Sequence, residues 1–208
     1  MNIFIFFPAF LVFIYSLYKL VKDDYVFIRK NISSEQVFDV AFTTTWIGLF
    51  SSRILSIILN HKFDENIFLS FFSLSINDFS LVGLVLGGLG GLYLIAKQKK
   101  YPTNNLTDFF ASAFSLSLSV GFFSFAFFLK EYELLFNFLN GIIYAFFSYY
   151  LLRYVKRKLI VFMLFFSSIS LVNLLLMQFI KRAGFITSEN IIFLLLIIIS
   201  LIISFRKK

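Results

Sequence analysis

Seven stretches of this chain, at roughly 2–20, 36–59, 79–96, 107–129, 132–152, 159–180 and 190–205, are apolar along most of their length. A helix needs about 20 predominantly apolar residues to cross the hydrocarbon of a bilayer, and it satisfies all its backbone polar groups internally while doing so. The runs therefore predict an all-α integral membrane protein: seven transmembrane helices in a single polytopic domain over 1–208. Because 60% of the 208 residues are hydrophobic, little chain remains for a soluble core.

The first run lacks a basic n-region and a small-residue cleavage site, and its basic residues follow it, so a retained helix with an outside N-terminus is expected. The net charge of +8 could suggest nucleic acid, but the cations sit in short clusters between apolar runs and form no soluble basic face. Lys19, Lys22, Arg29 and Lys30 follow the first run, Lys97, Lys99 and Lys100 the third, Arg153, Lys156, Arg157 and Lys158 the fifth, and Arg206, Lys207 and Lys208 the last. The opposite side carries only Lys62, Lys130, Lys181 and Arg182, which predicts a cytoplasmic C-terminus.

There is no cysteine, hence no disulfide framework and no thiol chemistry. Walker loops, metal-ligand clusters and dinucleotide fingerprints are also missing, so neither a cofactor nor a metal is expected. The lone histidine, His61, lies in the polar and apolar alternation of 60–78, which suits an amphipathic surface element. Ser33 and Gln36 have capping-box spacing, and Leu106-Thr107-Asp108 suits the start of the fourth helix. The third run crowds Gly83, Gly87, Gly88, Gly90 and Gly91 into one segment, which predicts close backbone approach and a central place in the bundle. Asn137 and Asn140 suit interhelical hydrogen bonding.

The order of a small-residue helix, the basic Lys97-Gln98-Lys99-Lys100 loop, the Leu106-Thr107-Asp108 start and the later Gly121 resembles the prolipoprotein diacylglyceryl transferase family of bacterial membrane enzymes. The resemblance covers about four fifths of the chain and implies that family's bundle. Its Ser-Phe-His-Gly-Gly motif falls on Ser80 to Leu84, with Val82 at the histidine; its Gly-Arg-Ile-Gly-Asn-Phe motif starts at Gly121, with Phe122 at the arginine and Phe125 at the asparagine. Tyr132-Glu133 matches the family's tyrosine-glutamate pair, but the outer head domain that precedes it there is missing. Arg53, in Ser51-Ser52-Arg53-Ile54, is similar to a Gly-Ala-Arg-Leu-like sequence of the family.

A charge inside an apolar run costs at least about 2.5 kcal/mol on insertion scales unless something offsets it. Arg53 can bind a lipid phosphate through its guanidinium fork, pair with Asp78, Glu131 or Glu133, or snorkel to the interface. The resemblance implies a lipid headgroup site at Arg53, Tyr132 and Glu133 and phosphatidylglycerol as the lipid. Thiol alkylation by such a lipid needs a proton acceptor and donors for the departing phosphate. Valine and phenylalanine supply neither, which predicts a noncatalytic, lipid-binding or partner-binding member in the bacterial inner membrane. Two alternatives stay open: an active divergent phosphatidylglycerol-dependent or other lipid-modifying transferase, and a small membrane transporter.

Overall fold

The chain's own hydrogen-bonding residues decide where its helices begin and end. In a computed structural model, residues 7–22, 24–59, 79–127, 131–154, 158–181 and 188–206 are described, with the side chains of 131–133, 177, 179–181, 188, 189 and 206 outside that description. The segment 60–78, with His61 and Asp78, falls outside the described residues, so the amphipathic element does too.

The first helix, α1 (Phe7–Lys22), is followed by a short helix, α2 (Tyr25–Arg29), that the hydropathy pattern did not foretell. Asp24 starts α2 by accepting hydrogen bonds from the amides of Val26 and Phe27. Asn31 ends it in the left-handed region (φ 52°), with the Ile32 amide donating to the Phe27 carbonyl. The next helix, α3 (Ser34–Leu59), opens on a complete capping box. The Gln36 amide donates to Ser33 Oγ at 3.3 Å, and the Ser33 amide donates to Gln36 Oε1 at 3.2 Å.

Ser80 caps α4 (Leu81–Gln98), accepting from the Gly83 amide at 3.3 Å. The helix runs without interruption through Gly87, Gly88, Gly90 and Gly91, so the glycine cluster is not a break. It ends at Lys100 (φ 56°), where the Tyr101 amide donates back to the Ala96 carbonyl at 2.8 Å.

The helix α5 (Thr103–Ala126) begins four residues before its expected start, and Pro102 precedes it without a side-chain cap. Asp108 therefore lies inside the helix. Its carboxylate accepts a hydrogen bond at 2.9 Å from the Leu159 amide, in the first turn of α7 (Lys158–Lys181). Before α7 comes α6 (Glu131–Tyr154), and the chain closes with α8 (Ser188–Arg206).

Every regular element among the described residues is thus a helix, eight in all. Five of them are long and apolar enough to cross a membrane: Ser34–Leu59, Leu81–Gln98, Thr103–Ala126, Leu134–Tyr154 and Lys158–Leu176. The 16-residue α1 and the described apolar part of the last helix, Asn190–Phe205, are shorter.

The bundle's hub is α5 and not, as the glycines suggested, α4. α5 packs on α1, α4, α6 and α7. Small residues on several sides allow this: Ser112, Ser115, Ser117, Ser119, Ala111, Ala113 and Gly121 are all buried. The glycines of α4 serve one neighbour closely. A Cβ at Gly83 would lie 2.7 Å from the Ser52 Cα, and one at Gly87 would run into the Ser51 side chain, so only glycine lets α4 lie this near α3. Ser52 ties the pair at its far end, donating from Oγ to the Ser80 carbonyl at 2.7 Å while its own carbonyl accepts from the Ser80 amide.

One core cluster gathers Leu17 and Val21 of α1, Phe27 of α2, Val37 and Val40 of α3, Ala96 of α4 and Leu106 of α5. It clamps these helices together at the end that carries Lys19, Lys22, Lys97 and Lys99. A second cluster joins Val82 and Val85 to Tyr144, Phe147, Phe162, Phe166 and Phe193, tying α4 and α5 to α6, α7 and α8.

Candidate functional site

Beyond the first cluster, towards the start of α1 and the end of α3, the helices part around a cavity of about 660 Å³. Phe7, Phe10 and Phe13 form its α1 wall, and Phe42, Trp46 and Leu49 the α3 wall. Leu84, Val85 and Leu89 come from α4, and Phe110, Phe114, Leu118, Phe122 and Phe125 from α5. Such a volume lies within the range of about 300–1,000 Å³ typical of small-molecule pockets.

Four of the hydroxyl side chains in the walls direct their protons into the protein. Thr44 and Thr45 donate to the Ala41 carbonyl at 3.0 and 2.8 Å, Ser52 to the Ser80 carbonyl, and Ser117 to the Ala9 carbonyl of α1 at 2.9 Å. What these residues turn to the cavity is methyl, methylene and ring surface. Asn137 of α6, 7% exposed, is the one amide side chain among the described lining residues. None of the described lining residues is titratable.

Phe122 and Phe125 face this cavity together. Phe122 is held by stacking on the buried Tyr144 ring, centroids 5.4 Å apart. Val82 is set behind the wall in the second cluster, 2% exposed. Arg53 is also outside the described lining; it is 4% exposed, the only buried cation among the described residues. Its guanidinium carbon lies 5.5 Å from the centroid of Phe79, a ring that does line the cavity. The Phe79 face offers the cation its negative quadrupole, which offsets part of the cost of burial. Tyr132 and Glu133 belong to the first turn of α6, the helix that brings Asn137 to the wall, and their side chains lie outside the description, as does that of Glu131.

Chemically the arrangement's described walls are predominantly hydrocarbon. Among its described lining residues there is neither a group to accept a thiol proton nor a cation to meet a departing phosphate. Sequence reading grouped Phe122 and Phe125 with Val82, and Arg53 with Tyr132 and Glu133; of these only Phe122 and Phe125 are in the described lining, and the α1 and α3 walls gave no sign, because their phenylalanines look like any lipid-facing residues. Away from the cavity, α6 and α7 are joined by side chains: Asn173 donates to Asn140 Oδ1 at 3.0 Å, the Tyr144 hydroxyl is hydrogen-bonded to Ser170, and the Phe147 and Phe165 rings stack at 3.7 Å. Asn190 of α8 donates to Gln178 of α7 at 3.0 Å.

A family model described as prolipoprotein diacylglyceryl transferase matches residues 3–132. No curated protein and no solved structure gives a match. The matched stretch takes in α1 to α5, every cavity wall but Asn137 and Phe162, and the start of α6, so this membrane-protein chain belongs to the prolipoprotein diacylglyceryl transferase family.

Proposed function

We propose that this protein is a noncatalytic, lipid-holding member of its family, with phosphatidylglycerol as the lipid. The observation that carries this reading is the cavity of about 660 Å³ with no titratable group among its described lining residues. Phe7, Phe42 and Trp46 of its walls are about half exposed, so the cavity opens towards the membrane around the bundle. A guest can therefore enter it from the surrounding lipid. Apolar walls inside a membrane suit an acyl chain.

The reaction of the family needs a proton acceptor and phosphate donors, and losing one donor alone typically lowers a rate by about 10²–10³. Phe122 and Phe125 turn rings to the cavity at the positions where the motif resemblance puts an arginine and an asparagine. Arg53 beside Phe79 supplies a positive charge at the end where Ser52 and Ser80 join α3 to α4, the natural place for an anionic headgroup. The protein sits in the bacterial inner membrane as a seven-span bundle with its C-terminus in the cytoplasm. The clustering of Lys19, Lys22, Lys97, Lys99, Lys100 and Arg153 at one set of helix ends favours that orientation. The uninterrupted α4 speaks against a transporter built on a broken helix.

Mass spectrometry of lipids retained after gentle extraction tests the reading. Wild type is expected to enrich phosphatidylglycerol, and Arg53→Ala to lose the headgroup preference. Gly88 lines the cavity, and a Cβ there meets only the Thr44 carbonyl, at 4.0 Å. Gly88→Leu therefore fills the cavity without a backbone clash and should lower retained lipid several-fold. Lipidation of a lipobox peptide by the pure protein, at a rate abolished by Arg53→Ala, would sink the noncatalytic reading.

A further inference from the structure

The tyrosines of this chain locate the membrane surface on the bundle. Tyr18 near the end of α1, Tyr93 near the end of α4, and Tyr149, Tyr150 and Tyr154 at the end of α6 are all exposed. These are the helix ends that carry Lys19, Lys22, Lys97, Lys99 and Arg153. Tyrosine is enriched where membrane helices leave the hydrocarbon, so this belt marks the boundary between lipid and water.

α2 lies at that level, between the end of α1 and the start of α3. Both its ends and its inner face are fixed. Asp24 keeps its carboxylate on the amides of Val26 and Phe27, Asn31 closes the other end, and the buried Phe27 sits in the first core cluster, its ring 5.7 Å from that of Phe109 on α5. Helical spacing then gathers Tyr25, Ile28 and Arg29, at i, i+3 and i+4, on the face opposite Phe27. Tyr25 is 72% exposed and Ile28 60%, with Arg29 and Lys30 exposed beside them. Two acids of α3, Glu35 and Asp39, are gathered in a recess with Tyr18. A face that joins a ring and an aliphatic side chain to two cations, at the level of the headgroups, is complementary to an anionic lipid surface: the apolar pair suits the top of the acyl chains and the cations suit phosphate.

We propose that α2 is an interfacial docking element for anionic lipid, with Tyr25 and Ile28 inserted at the top of the acyl chains and Arg29 and Lys30 on headgroup phosphates. This surface reads the charge of the surrounding bilayer. It is separate from the cavity and independent of the cavity's guest.

The chain has no cysteine, so Ile28→Cys provides a single site for a nitroxide label. The full-length labelled protein is placed in phosphatidylcholine vesicles with and without phosphatidylserine, an anionic lipid chosen so that charge is read apart from the cavity's guest. The label's accessibility to oxygen, which prefers lipid, is divided by that to a neutral nickel chelate, which prefers water. The same label at Ile198, exposed on the apolar α8, gives the value for lipid, and free label gives that for water. The ratio at position 28 is expected between the two, rising several-fold towards the Ile198 value when phosphatidylserine is added. Arg29→Gln combined with Lys30→Gln should abolish the rise. A ratio equal to that of free label in both vesicles overturns the proposal, and a label shielded from both reagents overturns it in favour of a protein partner or a second copy. An interfacial ratio that phosphatidylserine leaves unchanged overturns the recognition of anionic lipid. A rise that survives the double substitution overturns the assignment to Arg29 and Lys30. The comparison of the two vesicles is made with the native residues at 29 and 30, so it decides the matter even where the double variant fails to fold.

Discussion

The pairs α3–α4 and α6–α7 hold helices together in opposite ways. Among the described residues α3 and α4 make the most extensive backbone contact, with glycine backbone set directly against serine. α6 and α7 approach closely at few points, and the gap is bridged by Asn140 with Asn173, Tyr144 with Ser170, and stacked Phe147 and Phe165. Lipid tails are as apolar as leucine, so burying apolar surface between membrane helices gains little, and contact needs either close packing or hydrogen bonds. One pair uses the first means and the other the second. The close-packed pair lies within the family match and borders the cavity; the side-chain-bridged pair lies almost entirely beyond residue 132.

The sharpest way to break the contrast is at Gly83. Its missing Cβ would sit 2.7 Å from backbone, which cannot rotate away, so Gly83→Leu should cost about 3 kcal/mol, read as a lowered unfolding midpoint in detergent. If the midpoint is unmoved, α3 and α4 are not packed as described. A smaller effect is expected at the other pair. Asn140→Leu leaves Asn173 without this partner and should cost about 1 kcal/mol, while Asn140→Leu combined with Asn173→Leu should recover most of it. Failure of the double variant to recover would mean that the amides do more than bridge. The smallest effect belongs to Gly90, on the same helix as Gly83 but with nothing within 4 Å of an added Cβ. Gly90→Ala should leave the midpoint unchanged or raise it by about half a kcal/mol, since only helix propensity changes.

Sequence reading recovered what local chemistry determines. The Ser33 and Gln36 capping box is present in both directions, and Asn140 does bridge helices as its position among apolar residues suggested. The hub was misread for a physical reason. Glycine reports how close one neighbour comes, whereas the number of neighbours depends on small residues around the whole circumference, as with Ser112, Ser115 and Ser119 on α5. The cavity was legible only in part. Phe122 and Phe125 were marked by the motif resemblance, but the parting of α1 from α3 goes with where the first core cluster clamps them, which is a property of the assembled bundle.

Asp108 was read as a cap for its own helix, yet its carboxylate completes the first turn of α7, 51 residues later. That separation carries a consequence for biogenesis. A chain made from its N-terminus has synthesised Asp108 well before Leu159, so the cap waits in place while the last hairpin is still emerging. The α7–α8 pair is thus synthesised only after the α5 carboxylate that caps its first turn.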